Sequence, residues 1–272
     1  MRFNNTHIVL LVAGLLVGLL AAPSLGHAQD LTDVADIVGR ANLAAYYAGN
    51  DGRAEVRMTI SDAQGRRRIR QFFILRRDRQ DGADQDYAVL FSRPADVRNT
   101  VFLVNKHVGA DDDRWLYLPD LDLVKRIAAG DKRTSFIGSD FLYEDISGRG
   151  VDEDVHELIE TTDEHYVIRN IPVDASSVEF GSWTAWIDKT TFLPVKSEYM
   201  DEQENVYRRI EALEIEEVGG HPTVIKAMVS DLRSGGTTVS LFRKIQYNIG
   251  LPEAVFTERT LRNPPRKWFS SR

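Results

Sequence analysis

The chain has 272 residues, no cysteine and a formal net charge of −7 at pH 7. Without cysteine it has neither a disulfide nor the lipidation site of a lipoprotein. Its acidic balance argues against nucleic acid as a partner and against broad adhesion to anionic lipid surfaces. The length suits one large domain with a sizeable core.

The first 28 residues predict a secretory signal peptide. Arg2 and His7 precede an apolar run over residues 8–22, and Gly26-His27-Ala28 places small residues where signal peptidase reads them. We expect cleavage after Ala28. The alternative is a retained membrane anchor, but a membrane span needs roughly 20 apolar residues and this run is shorter. An exported chain without cysteine indicates a bacterial periplasm.

Residues 30–48 predict a helix. Asp30 or Thr32 can cap its start, and Gly49-Asn50 ends it. Apolar residues recur at helical spacing and form one face: Leu31, Val34, Ile37, Val38, Ala41, Ala44 and Ala45. Such a face needs an apolar surface to lie on, and in this chain that surface can only be a sheet.

From Arg53 onward the pattern alternates between apolar and polar residues, which is typical of strands. The strand-like runs cover residues 53–61, 66–77, 87–91, 101–106, 114–118, 121–127, 156–160, 165–171, 182–188, 195–200, 206–216, 223–231 and 238–247. Their connections are short, and no helix between them is long enough for a parallel crossover. We therefore predict a mainly β protein with a few helices, built as an antiparallel meander in one strongly curved sheet.

One face of the predicted sheet is charged and the other is apolar, so only one face is solvated. The apolar concave face is larger than a single helix can cover. The remaining cover is expected from the insert at residues 130–150, from residues 256–262, or from a ligand. Residues 29–262 form one domain in this interpretation, and residues 263–272 are expected to be a flexible tail.

No motif in the chain has the spacing of a catalytic or metal site. The four histidines beyond the leader (His107, His156, His165 and His221) are not spaced as metal ligands. Gly138-Ser139-Asp140 lacks the G-x-S-x-G pattern of a nucleophile elbow, and Ser139 and Asp140 are predicted to cap a short helix over residues 141–146. We expect no catalytic residue, no metal and no cofactor.

Large apolar and aromatic side chains on the predicted strands and in the insert are candidates for lining an apolar cavity or its lid. Each of them also fits an ordinary core. The candidates are Val56, Met58, Ile60, Phe73, Leu75, Val89, Phe91, Phe102, Trp115, Leu116, Tyr117, Leu118, Phe136, Phe141, Trp183 and Trp186.

Residues 114–146 carry a resemblance to a known family. The run Trp115-Leu116-Tyr117-Leu118-Pro119, then Arg126-Ile127, then residues 135–145 (SFIGSDFLYED) resemble the signature of the outer membrane lipoprotein-sorting protein family, which belongs to the LolA-like superfamily. The resemblance extends over most of the chain after the leader. One departure is Asn99-Thr100, where a glycine is expected before the threonine, and it affects only a local turn.

The resemblance implies a half-open antiparallel β-barrel of about 11 strands, closed by helices over an apolar cavity. It implies a monomeric periplasmic carrier, not an enzyme, that moves a lipid or an acylated lipoprotein between an inner-membrane exporter of the resistance-nodulation-division (RND) type and the outer membrane. Such a carrier contributes to outer membrane biogenesis. Its movable lid is either the leading helix or the insert at residues 130–150.

Two other functions remain open at this stage. The first is an accessory or interaction subunit of an RND-type exporter, whose interior is filled by its own side chains. Large apolar faces also mark protein partners, which motivates this alternative. The second is a hydrolase that uses Ser139 with a histidine distant in sequence.

Overall fold

The structure is a computed structural model that describes residues 30–80 and 82–270. The predicted signal peptide lies outside the described residues. The strands are β1 (Asp51–Ser61), β2 (Arg67–Asp78), β3 (Gln85–Arg93), β4 (Val101–Lys106), β5 (Asp113–Leu118), β6 (Leu123–Ile127), β7 (Asp154–Thr161), β8 (His165–Pro172), β9 (Ser182–Asp188), β10 (Pro194–Met200), β11 (Val206–Val218), β12 (His221–Asp231) and β13 (Gly236–Tyr247). The helices are α1 (Val34–Tyr46), α2 (Tyr143–Ser147) and α3 (Glu258–Arg262).

All thirteen strands form one open sheet in the order β6-β5-β4-β3-β2-β1-β13-β12-β11-β10-β9-β8-β7. Neighbouring strands are antiparallel. Every neighbouring pair in the sheet is also consecutive in the chain, except the pair β1–β13. The predicted antiparallel meander is confirmed, whereas the strand number of about 11 implied by the resemblance is too small. We call β1–β6 the first half of the sheet and β7–β13 the second half. Residues 128–153 connect the two edge strands.

Helix α1 lies over the second half of the sheet. Its start is capped by Asp33, whose Oδ1 accepts a hydrogen bond from the Ala35 amide at 2.9 Å. The predicted caps Asp30 and Thr32 were therefore wrong by one to three residues, since a cap must immediately precede the first helical turn. Ile37 and Ala41 are buried against β8 and β9, as the apolar helical face predicted.

The concave face of the first half is filled by the insert. Phe136 is fully buried and packs among aromatic rings of the sheet, with centroid distances of 6.2 Å to Phe72, 5.7 Å to Phe91 and 5.5 Å to Phe102. Tyr143 of α2 adds an edge-to-face contact at 5.6 Å. Such aromatic clusters bury large apolar area and fix ring orientation, so this half contains a packed core.

The convex face of the first half is covered as well, by the C-terminal part of the chain. Phe256, Leu261 and Phe269 are buried there against Leu75 and Leu103. Residues 263–270, which the sequence predicts to be a flexible tail, belong to this covering segment, and Phe269 is buried in it. An apolar convex face cannot stay solvated, and the segment that ends in Phe269 removes it from water.

The departure at Asn99 has a conformational explanation. Asn99 has a positive φ of 68° in the turn between β3 and β4, and its amide donates a hydrogen bond to the Phe91 carbonyl at 2.9 Å. Glycine adopts this left-handed conformation without strain, and asparagine tolerates it better than most residues. The turn is therefore retained without the glycine.

Candidate functional site

A cavity of about 370 Å³ lies between α1, residues 141–151 and the second half of the sheet. We call it the α1 cavity. Small side chains of the helix, Ala41, Ala44 and Ala45, line it and leave the space open. A side cavity of about 270 Å³ shares Tyr46, Phe141 and other lining residues with it and extends under β1 and β13.

The lining of the α1 cavity differs in polarity between the two ends of the strands. Pro194, at the start of β10, and Pro222, at the start of β12, lie at one end together with Tyr247, at the end of β13. Because the strands are antiparallel, Asp154 and Trp183 at the starts of β7 and β9 lie at the other end. That second end is polar and is closed by the insert. We call it the closed end.

The sheet separates beside the first end. Pairing between β12 and β13 stops at Lys226 and Leu241, yet β13 continues to pair with β1 as far as Tyr247. A register shift in β1 between Arg53 and Glu55, together with a positive φ of 49° at Lys244, accompanies this change of partner. The result is a slit between β12 and the end of β13.

The Tyr247 side chain bridges the slit through contacts with two residues. The Tyr247 hydroxyl and Thr223 Oγ1 are 2.9 Å apart, and the His221 ring contacts the Tyr247 ring at 5.1 Å between centroids. Residues 222–224, Phe242 and Tyr247 line the α1 cavity at this place. Tyr247 therefore lies where the α1 cavity meets the slit.

The insert is held at the closed end by buried ion pairs. Glu144 is only 2% exposed and lies 3.3 Å from Lys132 and 3.4 Å from Arg149, and it also pairs with Arg133. Arg149 in turn reaches Asp154 of β7 at 2.8 Å. Buried charges of this kind are stable only when they are mutually paired, so the insert is fixed to the sheet through several contacts at once.

The same network determines the titration of its members. Burial raises the pKa of Glu179, but hydrogen bonding to Arg133 and the charge of that residue outweigh burial, so the net pKa lies below its ordinary value of 4.5. The pKa of Glu153 is lowered in the same way, because Lys132 and Arg149 outweigh its burial. Burial lowers the pKa of Lys106, whose ammonium donates to the Ser147 carbonyl at 2.8 Å.

Most of the predicted cavity-lining residues belong to the packed first half instead. Phe141 and Trp183 line the α1 cavity, and Met58 and Phe141 line the side cavity. The others on the concave side lie in or against the core around Phe136: Val56, Ile60, Val89, Phe91, Phe102, Leu116 and Leu118. Those on the convex side, beneath the C-terminal segment, are Phe73, Leu75, Trp115 and Tyr117.

Trp186 belongs to neither group. Its ring lies under the Lys196 ammonium, 4.0 Å from the ring centroid, and it does not line either cavity. The lining residues that the sequence did not single out include Tyr46 and Tyr199. The run of alanines in α1 was the available indication of the cavity that these tyrosines line, because small residues on the inner face of a helix leave room above a sheet.

The Gly138-Ser139-Asp140 motif has a structural role. The Ser139 hydroxyl donates to the Phe136 carbonyl at 2.7 Å, and the Asp140 carboxylate accepts from the Thr238 hydroxyl at 2.6 Å. Neither residue caps α2 as predicted. Leu142 is the N-cap residue instead, and the carboxylate of Asp145 in the first turn accepts from the Leu142 amide at 2.6 Å. Within residues 30–80 and 82–270, no three histidine, aspartate or glutamate side chains converge as metal ligands.

An open antiparallel sheet with a helix and an insert on its concave face defines a LolA-like fold, and solved structures agree. A putative outer membrane lipoprotein-sorting protein domain from Vibrio parahaemolyticus is 24% identical over 84% of this chain and 97% of that chain, with a TM-score of 0.75. A LolA superfamily protein from Nitrosomonas europaea is 18% identical over 83% of this chain and 98% of that chain, with a TM-score of 0.64. The resemblance stated from the sequence is confirmed.

A DUF1329 family protein from Desulfovibrio piger is 29% identical over 83% of this chain and 96% of that chain, with a TM-score of 0.76. A family model described as "uncharacterized protein" matches residues 83–263, which is more than half of the chain. The chain therefore belongs to that family. No curated protein matches the chain. In the part of the chain that the structure describes, no helix has the length and apolar character needed to cross a membrane.

Proposed function

We propose that this protein is a carrier that binds the acyl chains of a lipid or lipoprotein in the α1 cavity and the side cavity. The observation that carries the proposal is the contrast in filling, since the core around Phe136 is packed while about 370 Å³ of space remains beneath α1. Ligand pockets are typically about 300–1,000 Å³, which includes this volume. The lipoprotein-sorting domain and the LolA superfamily protein have the same fold.

The physical reason for such a carrier is the insolubility of acyl chains. Moving a chain into water costs about 0.8 kcal/mol per CH₂, so a two-chain lipid faces a barrier on the order of 20 kcal/mol. A protein cavity lined by apolar side chains removes most of that barrier. Its affinity needs only to match that of the membrane, so that the next acceptor can withdraw the cargo.

The moving element is assigned to α1 and not to the insert. The insert is fixed by the ion pairs around Glu144. At the start of α1, the Leu31 amide donates a hydrogen bond to the Tyr166 hydroxyl at 3.0 Å. Its C-terminal end is fixed by Arg76, which donates to the carbonyls of Ala48 and Gly49. Helix α1 covers the cavity with small side chains, and we therefore assign the lid to it.

We further infer the cellular setting from the sequence signature. The leader predicts export to the periplasm, and the resemblance implies transfer from an inner-membrane RND-type exporter toward the outer membrane. Crosslinking in cells followed by purification of the tagged protein should recover a multi-span exporter. Recovery of cargo lipid without any exporter would remove this part of the proposal and leave the carrier role in place.

The carrier role is tested by its cargo. Protein purified from the periplasm should release lipid into organic solvent, detectable by mass spectrometry, and delipidated protein should take up a fluorescent acyl probe in competition with that lipid. An extract without lipid, together with no probe uptake, would contradict the proposal. A second test is a variant in which Val38 of the cavity wall is changed to Trp. This variant should fold but bind less probe.

A further inference from the structure

The closed end of the α1 cavity presents two tyrosine side chains, Tyr46 from α1 and Tyr199 from β10. Among the described residues neither hydroxyl has a hydrogen-bond partner, and neither oxygen belongs to the polar atoms that are sealed off without one. The Tyr47 hydroxyl, by contrast, donates to the Ala83 carbonyl at 2.6 Å. A buried tyrosine hydroxyl normally finds a partner, so these two are available to a ligand.

Both tyrosine rings are held in place by their neighbours. The Tyr199 ring stacks on Trp183 at 5.5 Å and is flanked by the guanidinium groups of Arg133 at 5.2 Å and Arg208 at 5.1 Å. The Tyr46 ring lies directly over residue 148, where a Cβ atom would stand 2.4 Å from its Cζ. Rigid neighbours of this kind lower the entropy lost when a ligand binds.

The charge around the two hydroxyls is balanced within the protein. Asp145 pairs with Arg208, Asp154 pairs with Arg149 at 2.8 Å, and Glu144 pairs with three cations. A phosphate entering this end would therefore meet carboxylates and cations that are already engaged, since the Lys106 ammonium, 5.3 Å from the centroid of the Tyr46 ring, donates to the Ser147 carbonyl and Arg208 pairs with Asp145. An ammonium group would meet carboxylates that are already bonded. Only a neutral group is compatible with this balance, because an added charge would remain uncompensated.

The tyrosines themselves are neutral. Burial raises the pKa of Tyr46 and of Tyr199 above the ordinary value of 10. Each hydroxyl can therefore donate one hydrogen bond and accept another. A ligand group that satisfies both must also donate and accept, and among neutral groups on lipids a hydroxyl does this.

We propose that the closed end is a subsite for the hydroxyl group of a neutral lipid alcohol, which enters hydroxyl first and places its apolar body toward the slit at Tyr247. This inference rests on the proposed carrier function and specifies the class of its cargo. The bound orientation is the reverse of that expected for a phospholipid, whose charged head would remain in water. Tyr46 and Tyr199 are the residues that select the hydroxyl.

A matched series of small amphiphiles tests the proposal. Delipidated full-length protein is loaded with a fluorescent acyl probe, which is then displaced by dodecanol, dodecyl methyl ether, dodecylamine or dodecyl phosphate. Dodecanol should compete best. The ether accepts but does not donate, and it should bind roughly fivefold more weakly, since one hydrogen bond contributes about 1 kcal/mol. The two charged compounds should bind more weakly than dodecanol.

Substitution of the tyrosines locates the effect. Tyr46→Phe combined with Tyr199→Phe should remove the difference between dodecanol and its ether, and it should also lower the affinity for the ether, which loses the hydrogen bond that it accepts from a tyrosine hydroxyl. Tyr117→Phe is the control, because that hydroxyl contacts Asp122 outside both cavities at 3.3 Å. Circular dichroism verifies folding, and if the double variant does not fold, the series on the unmodified protein still decides.

The outcomes separate this inference from the carrier role. Equal displacement by dodecanol and its ether, or preference for the phosphate, overturns the hydroxyl subsite while acyl binding stands. Absence of probe binding to the unmodified protein overturns both. A difference that persists in the double variant shows that other groups recognise the hydroxyl and also overturns the assignment.

Discussion

The two halves of one sheet are filled in different ways. In the first half, the insert with Phe136 covers the concave face and the C-terminal segment with Phe269 covers the convex face. In the second half, α1 covers the concave face with alanines, and space remains beneath it. The strands are alike in pattern, so the difference comes from the side chains that are brought to the sheet. A large aromatic side chain fills the space over one part of the sheet. A row of small side chains leaves a cavity over the other part.

The largest expected effect distinguishes two phenylalanines of the insert. Phe136→Ala should lower the free energy of unfolding by about 3–5 kcal/mol, because it leaves a void in a packed aromatic core. Phe141→Ala removes the same atoms beside two existing cavities and should cost less than half of that. Chemical denaturation of both variants measures the difference. Equal losses would show that the second half is packed as tightly as the first.

Much of the fold could be predicted from the sequence. Alternating patterns located the strands, and the apolar face of residues 30–48 located α1, because both features depend on local periodicity. The strand pairing at β1–β13 and the slit beside it could not be read in this way. They depend on a register shift near Arg53 and on a change of partner by β13.

The candidate site could be predicted only in part. An apolar strand face indicates burial but not what buries it, so residues such as Phe102 and Leu75 could equally have lined a cavity or formed a core. The covering segments come from distant parts of the chain, Phe136 from the insert and Phe269 from the C terminus. The free hydroxyls of Tyr46 and Tyr199 become visible only when every neighbouring partner is known.

The next effect tests how the insert is fixed. Glu144→Ala leaves Arg133, Lys132 and Arg149 without a shared counter-ion, and breaking a buried ion pair in this way costs about 3–5 kcal/mol. Thermal and denaturant unfolding measure it. Asp36→Ala, which removes an exposed pair with Arg40 on α1, is the control and should change stability by about 0.5 kcal/mol or less. A small effect of Glu144→Ala would contradict the assignment of the lid to α1 and favour the insert.

Acid should weaken the same network. The folded-state pKa values of Glu153 and Glu179 lie below the ordinary value of 4.5, so their contribution to stability is complete above that pH. It is lost as pH falls through the lower folded-state values. Denaturation at a series of pH values should show this decline, and Glu179→Gln should make the decline shallower. An unchanged slope in that variant would argue against the assigned ion pair with Arg133.

The smallest expected effect concerns the slit. Tyr247→Phe removes the hydrogen bond to Thr223 and should reduce stability by about 1 kcal/mol or less. It should also accelerate release of a bound acyl probe, measured by stopped-flow fluorescence, because the slit then opens more easily. Tyr117→Phe serves again as the control. Unchanged release would indicate that cargo leaves by movement of α1 alone.

The central claim is that an acyl chain occupies the space beneath α1 and not the core beneath the C-terminal segment. Three proteins, each retaining only one tryptophan (Trp183, Trp115 or Trp268), would be mixed with a fatty acid brominated along its chain, since bromine quenches tryptophan fluorescence only near contact. Trp183 lines the α1 cavity, whereas Trp115 packs beneath the C-terminal segment and Trp268 belongs to that segment. We predict strong quenching of Trp183 and little quenching of the other two. Equal quenching of all three, or stronger quenching of Trp115, would contradict the account.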